Sequence, residues 1–209
     1  MPVIVVANPK GGVGKSTVAT QIAGWYAAQG RAVMLGDLDR QQSARHWLAL
    51  RPPQAAPIRG WDLADGDRVR PPKGSTHLVI DTPAGLHGKR LDAVLKIADR
   101  IVIPLQPSPF DMAATHAFLQ VLGADKTAQK RAGQMQIGLV AVRTKEHTHA
   151  LDHLHTFLVA LGQPPLAGLR DTQNYAHLAA RGLTLWDVAA SRVERDLTQW
   201  QPLIDWLPE

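Results

Sequence analysis

Apolar residues fall in short runs separated by longer amphipathic stretches, and this alternation holds along the chain. Val3-Ile4-Val5-Val6-Ala7, Ala32-Val33-Met34-Leu35 and Leu78-Val79-Ile80 are continuous apolar runs, and residues 100–105 and 136–142 are apolar after a polar first residue. Such runs mark strands of a parallel sheet buried on both faces. Between them, apolar positions recur at helical spacing over residues 15–29, where Ile22, Ala23, Tyr26 and Ala27 share a face and Gly30 stops the helix. Similar patterns predict helices over 41–50, 86–98, 109–130, 147–161, 174–180 and 192–206, with a short strand at 166–169. Residues 51–76 are rich in proline, glycine and charge, with Ile58 and Trp61 as the apolar anchors, so they read as a surface connection with room for one edge strand. No internal repeat or low-complexity segment interrupts the order. The expected fold is α/β, a doubly wound, mostly parallel sheet with helices on both faces, in one domain over residues 1–209.

Composition narrows the setting. The 209 residues include no cysteine, which excludes disulfides and a secreted disulfide scaffold, and 45% are apolar, enough for one extended core. No apolar run approaches the ~20 residues that span a bilayer, and the chain opens on a core strand where a signal peptide would stand, so a cytoplasmic protein is expected. A net charge of +5 favours an anionic partner such as DNA, without deciding it. The basic residues form no tail: Arg59, Arg68, Arg70 and Lys73 are mixed with Asp62, Asp65 and Asp67.

The first strand runs into Lys10-Gly11-Gly12-Val13-Gly14-Lys15-Ser16-Thr17. Small residues let successive backbone N–H groups close around the phosphates of a nucleoside triphosphate; Lys15 adds a mobile positive charge, and the Ser16 hydroxyl is placed to ligate Mg²⁺ as the next helix begins. An ordinary phosphate loop of this type begins with glycine, but here Pro9 holds that place and Lys10 follows. The tether of Lys10 is too short to wrap onto its own loop, so its physical use is to reach a neighbouring subunit's nucleotide.

At these residues the chain resembles the deviant Walker A ATPases of the ParA/MinD family, whose pattern K-G-G-x-G-K-[ST] agrees with Lys10 to Ser16 at every defined position. Asp37-Leu38-Asp39-Arg40-Gln41-Gln42-Ser43 looks like the family's D-x-D-P-Q-G-[SN] switch, with Arg40 in place of proline and Gln42 in place of glycine. The resemblance implies that Asp39 orients the attacking water while Asp37 sits deeper, near the metal or the signature lysine. The alternative for Asp39 is an N-cap for the helix that follows. Asp81, at the end of the apolar run 78–80, looks like the Walker B residue that holds Mg²⁺ through a water, and Pro83 and Gly85 suit a second switch. Residues 98–111 resemble the A-D-x-V-[IL]-I-P-x-Q-P-S-x-x-D block of small plasmid-type ParA proteins, which borders their ATP-dependent dimer interface. Residues 169–186 resemble the C-terminal region of the same proteins.

Two departures bear on function. Val142-Arg143 stands where many relatives have N-[KR], which moves base recognition toward backbone groups around residues 143–172, with Arg143 as a nucleotide contact. The N-terminal helix-turn-helix of larger ParA proteins has no counterpart in this sequence. The resemblance implies a weak ATPase that uses ATP and Mg²⁺, forms a homodimer when ATP is bound, holds DNA nonspecifically on the nucleoid and is stimulated by a ParB-like or adaptor protein. Plasmid or chromosomal DNA is the default cargo, and a protein assembly such as a chemoreceptor cluster or carboxysome is the alternative. Lys145, Arg170, Arg181, Arg192 and Arg195 are the candidate DNA contacts. A MinD-like membrane switch is disfavoured because residues 199–209 contain two prolines, two acids and no lysine or arginine. His147, His149, His153 and His155 read as a solvated helix face, and Trp186, Trp200 and Trp206 as core.

Overall fold

The computed structural model describes residues 1–62 and 73–209; Asp65, Asp67, Arg68 and Arg70 lie outside the described residues. Strands β1 (Val3–Val6), β2 (Val33–Asp37), β3 (Ile58–Asp62), β4 (His77–Asp81), β5 (Arg100–Leu105), β6 (Gln136–Thr144) and β7 (Ala167–Arg170) form one sheet. Every pairing is parallel, in the order β3-β2-β4-β1-β5-β6-β7. The helices are α1 (Lys15–Ala28), α2 (Ser43–Leu50), α3 (Gly88–Leu95), α4 (Pro109–Ala124), α5 (Lys126–Lys130), α6 (His149–Ala160), α7 (Gln173–Ala179) and α8 (Glu194–Trp206). This is the expected doubly wound α/β architecture, and β3 is the edge strand allowed for in residues 51–76.

The apolar runs are continuous because alternate side chains serve two cores. In β1, Ile4 and Val6 point into a layer with Val18, Ile22 and Tyr26 of α1, and with Trp200 and Leu203 of α8. Val3 and Val5 point the other way, toward Leu91 and Leu95 of α3 and Phe118 and Leu122 of α4. Burying a side chain such as Ile22 contributes about 1.5–3 kcal/mol, and both layers depend on it. Trp186 and Trp200 pack edge to face at 5.4 Å within the first layer, so the tryptophans serve packing.

One expected helix divides. Residues 109–130 form α4 and α5, because Asp125 leaves the helical conformation at φ −73°, ψ 127°. Its carboxylate accepts from the N–H groups of Thr127 and Ala128 and starts a new helix.

Central β1 is flanked by β4 and β5. The chain leaves β1 toward β2 on one side and reaches β5 on the other, which opens a crevice at the C-terminal ends of the strands. Residues that carry chemistry collect there.

Candidate nucleotide site

Between β1 and α1 the backbone is shaped for an anion. Gly12 and Gly14 have φ of 77° and 81°, a region that costs other residues about 1–2 kcal/mol. Gly14 is the N-cap of α1 and supplies no capping side chain, so the first N–H groups of the helix are left to an external acceptor. Lys15 lies buried behind this loop and its ammonium donates to the Lys10 carbonyl at 2.8 Å. Burial lowers its pKa, while the charges of Asp81 and Asp39 work against that shift.

Lys15, Asp37, Asp39 and Asp81 come together at the ends of neighbouring strands, with Asp37 and Asp81 paired in register. Asp81 is 1% exposed and neither carboxylate oxygen has a hydrogen-bond partner among the described residues. Burial pushes its pKa up to about 7; Ser16 and Lys15 nearby draw it down, and Asp37 and Asp39 push it further up. A buried carboxylate with no partner is a destabilised group that a cation would satisfy. Together with the Ser16 hydroxyl, it fits Mg²⁺, as the glycine turns and Lys15 fit a triphosphate.

Asp37, expected near the metal or the signature lysine, is held by main-chain N–H groups. Its Oδ1 accepts from Asp39 N–H at 2.9 Å, and its Oδ2 accepts from the N–H groups of Ala44 at 2.9 Å and Arg45 at 3.2 Å. The carboxylate thus holds the turn that carries Asp39 and caps α2. Burial still pushes its pKa up. Asp39 is half-buried and accepts from Gln41 N–H at 3.0 Å. Gln42, in place of the family's glycine, adopts φ 51°, the conformation glycine reaches without cost.

On the other side of the loop a cleft of about 340 Å³ opens between Gly14 and Thr17 and the C-terminal third. Val18, Val142, Leu169, Tyr175 and Trp200 give it apolar walls, and Arg143, Arg170, Asp171 and Thr172 form a polar rim. Trp200 Nε1 donates to Tyr175 Oη at 2.9 Å, fixing the back wall. At Arg143, φ is 52° and the β6–β7 register shifts between Val142 and Thr144. The cleft occupies the region expected to face the base. Leu169 and Tyr175 stood out in the sequence only through their resemblance to the family's C-terminal region, and Trp200 only as a core position; none of them carried a signal for this cleft.

A family profile described as the CobQ/CobB/MinD/ParA nucleotide binding domain covers residues 4–185. The chain belongs to this family. Within related proteins, it is 38% identical over 117 residues to "Maintenance of carboxysome distribution protein A" of Gloeobacter kilaueensis, a stretch that spans 53% of this chain and 52% of that protein. The protein of the same description from Halothiobacillus neapolitanus is 27% identical over 90% of this chain and 88% of its own length. The fold superimposes on a variant Cyanothece McdA in complex with ATP at a TM-score of 0.70, with 15% identity over 97% of this chain and 96% of that one.

The expected DNA contacts are scattered in the structure and unequal in freedom. Lys145 lies 3.8 Å from Asp171, and Arg195 lies 2.8 Å from Glu146, both pairs exposed. Arg170 is turned inward onto the fully buried Asp196, which also accepts from Asn174 Nδ2 at 2.6 Å. That removes Arg170 from the free basic side chains. Arg181 and Arg192 are exposed.

Proposed function

We propose that this chain is a ParA-type ATPase: it pairs with a second copy when ATP and Mg²⁺ are bound, holds DNA nonspecifically as a dimer, and partitions or positions a cargo until hydrolysis ends the pairing. The observation that carries this reading is Lys10. Its backbone is tied at both ends, through its N–H to Asn8 Oδ1 at 2.8 Å and through its carbonyl to Lys15 Nζ, while its side chain is exposed. A lysine so placed serves a partner's triphosphate better than its own.

Each residue has a role in this reading. The N–H groups of Gly11, Gly12, Val13, Gly14, Lys15, Ser16 and Thr17 cradle the phosphates, and the Lys15 ammonium balances their charge. Ser16 and, through a water, Asp81 hold Mg²⁺, which neutralises charge on the phosphate oxygens when bound. Asp37 keeps the Asp39 turn in place, and Asp39 orients the attacking water. The walls near Arg143 enclose the base.

The relatives named for carboxysome distribution favour a protein assembly over a plasmid as cargo. Lys145, Arg181, Arg192 and Arg195 are the DNA contacts of this reading, acting through phosphates and therefore sensitive to salt. An adaptor protein on the cargo stimulates hydrolysis, and the protein resides on the nucleoid in the cytoplasm. Among the described residues no helix is long and apolar enough to cross a membrane, and the acidic, proline-bearing end of α8 suits no lipid surface. The test is DNA binding with ADP, ATP and a nonhydrolysable analogue, for the wild type and Lys10→Ala. A salt-sensitive complex only with the triphosphate, lost in the variant, is expected; equal affinity in all nucleotide states rejects the proposal.

A further inference from the structure

The backbone of Lys10 is held from inside the protein. Asn8, 1% exposed, accepts the Lys10 N–H through its carbonyl oxygen and uses its amide nitrogen elsewhere. That nitrogen donates to the Pro104 carbonyl at 2.8 Å and to Thr115 Oγ1 at 3.1 Å. Thr115 is fully buried in the second turn of α4. A second tie lies on the far side of Lys10, where Gln106 Nε2 donates to the Gly12 carbonyl at 2.9 Å. Gln106 is itself held, since its N–H donates to Asp111 Oδ2 at 3.2 Å, a buried carboxylate in the first turn of α4.

The phosphate loop and the start of α4 are thereby joined on both sides of Lys10. That start of α4 also carries Phe110, 79% exposed and the most exposed large apolar side chain among the described residues. A cation and an aromatic ring thus stand on one rigid piece of surface.

We propose that Asn8, Thr115 and Gln106 are positioning residues that lock Lys10 to α4, so that Lys10 and Phe110 meet a second copy as one preset surface. The proposal rests on the pairing reading above and adds what fixes the geometry of pairing. Presetting matters because a long side chain on a loose loop loses rotamer and backbone freedom when it docks, and that loss weakens association. None of the three side chains is asked to touch the phosphates.

The test is Thr115→Val, close in shape and unable to accept from Asn8, whose bond to Pro104 remains. Monomer affinity for a fluorescent ATP analogue is expected to stay within about twofold, while the protein concentration needed for ATP-dependent dimerisation rises about five- to tenfold, the worth of one buried hydrogen bond. Thr115→Ser restores dimerisation. Gln106→Leu, on the more exposed tie, gives the same split and keeps the test open should the buried variant fold poorly. If both variants dimerise as the wild type does while Lys10→Ala does not, this proposal falls and the pairing reading stands. If Lys10→Ala dimerises normally, the pairing reading falls first. ATP affinity and dimerisation lost together, without rescue by serine, also overturns the proposal, because that pattern belongs to general packing.

Discussion

At the phosphate end of the cleft, consecutive residues from Gly11 to Thr17 carry the backbone N–H groups and one buried ammonium, with carboxylates at the tips of β2 and β4 beside them. At the base end, Val18, Val142, Leu169, Tyr175 and Trp200 come from five separate elements, α1, β6, β7, α7 and α8, to make apolar walls. The first end is built by local chain geometry and charge, the second by tertiary packing. The difference predicts how each end fails. Apart from the left-handed glycine turns, substitutions at the phosphate end should abolish turnover with little loss of stability, and substitutions at the base end should weaken affinity and stability together.

The largest effect is expected at Lys15 and Asp81. Lys15→Ala and Asp81→Asn should each lower Mg²⁺-dependent ATP turnover at least about 100-fold, since each removes a charge that answers the phosphates or the metal. Phosphate release assays measure this, and turnover within tenfold of wild type would break the assignment of this end.

Asp81 also gives the phosphate end a pH signature. An unfolded aspartate ionises near pH 4, whereas burial raises folded Asp81 to about 7. Between these values the unfolded chain has released a proton that the folded chain keeps. Stability present below pH 4 is therefore lost as pH rises through 7, by up to about 4 kcal/mol. Asp37, raised by burial too, adds a slope of the same sign in wild type and variant alike. The melting temperature of nucleotide-free Asp81→Asn should exceed that of wild type by a margin that widens from pH 5 to pH 8. Parallel curves would remove the unpaired carboxylate from the account.

Gly14→Ala comes next, at about 1–2 kcal/mol of destabilisation, because φ 81° suits glycine alone at the N-cap of α1. Denaturant unfolding reads it, and a neutral substitution would mean the turn relaxes. At the base end, Tyr175→Phe deletes the acceptor for Trp200 Nε1. A cost of about 1 kcal/mol and a KM for ATP raised a few-fold are expected, with kcat nearly unchanged. A fall in kcat alone would blur the division between the ends. The smallest effect belongs to Gln42→Gly, where relief of the left-handed strain opposes added freedom in the unfolded chain; the net change should stay within about 1 kcal/mol of zero.

The same division explains what was legible in the sequence. The loop from Gly11 to Thr17 is a run of neighbours and stood out by its spacing, while Asp81 stood out by its place at the end of an apolar run and by its resemblance to a Walker B residue. Strands β1, β5 and β6 were equally plain, because two-faced burial writes an unbroken apolar run. The use of Asp37 was not plain. The resemblance placed Asp37 near the metal or the signature lysine but could not reveal that the Asp39 N–H would claim one of its oxygens and the N–H groups of Ala44 and Arg45 in α2 the other. Nor could helical periodicity show the break at Asp125, where a capping carboxylate overrides an otherwise continuous pattern. Trp200 was read correctly as a packed residue and Tyr175 only as part of a family-like segment, and their place on the cleft depends on how α7 and α8 lie over β7. The ties from Asn8 and Gln106 to distant partners likewise exist only in three dimensions.

Sedimentation or small-angle scattering of the protein saturated with a nonhydrolysable ATP analogue and Mg²⁺, beside Lys10→Ala under the same loading, tests the central claim most directly. The account predicts a compact dimer for the wild type and a nucleotide-loaded monomer for the variant. A wild-type chain that carries its nucleotide as a lone protomer, or a variant that pairs as readily, would contradict it.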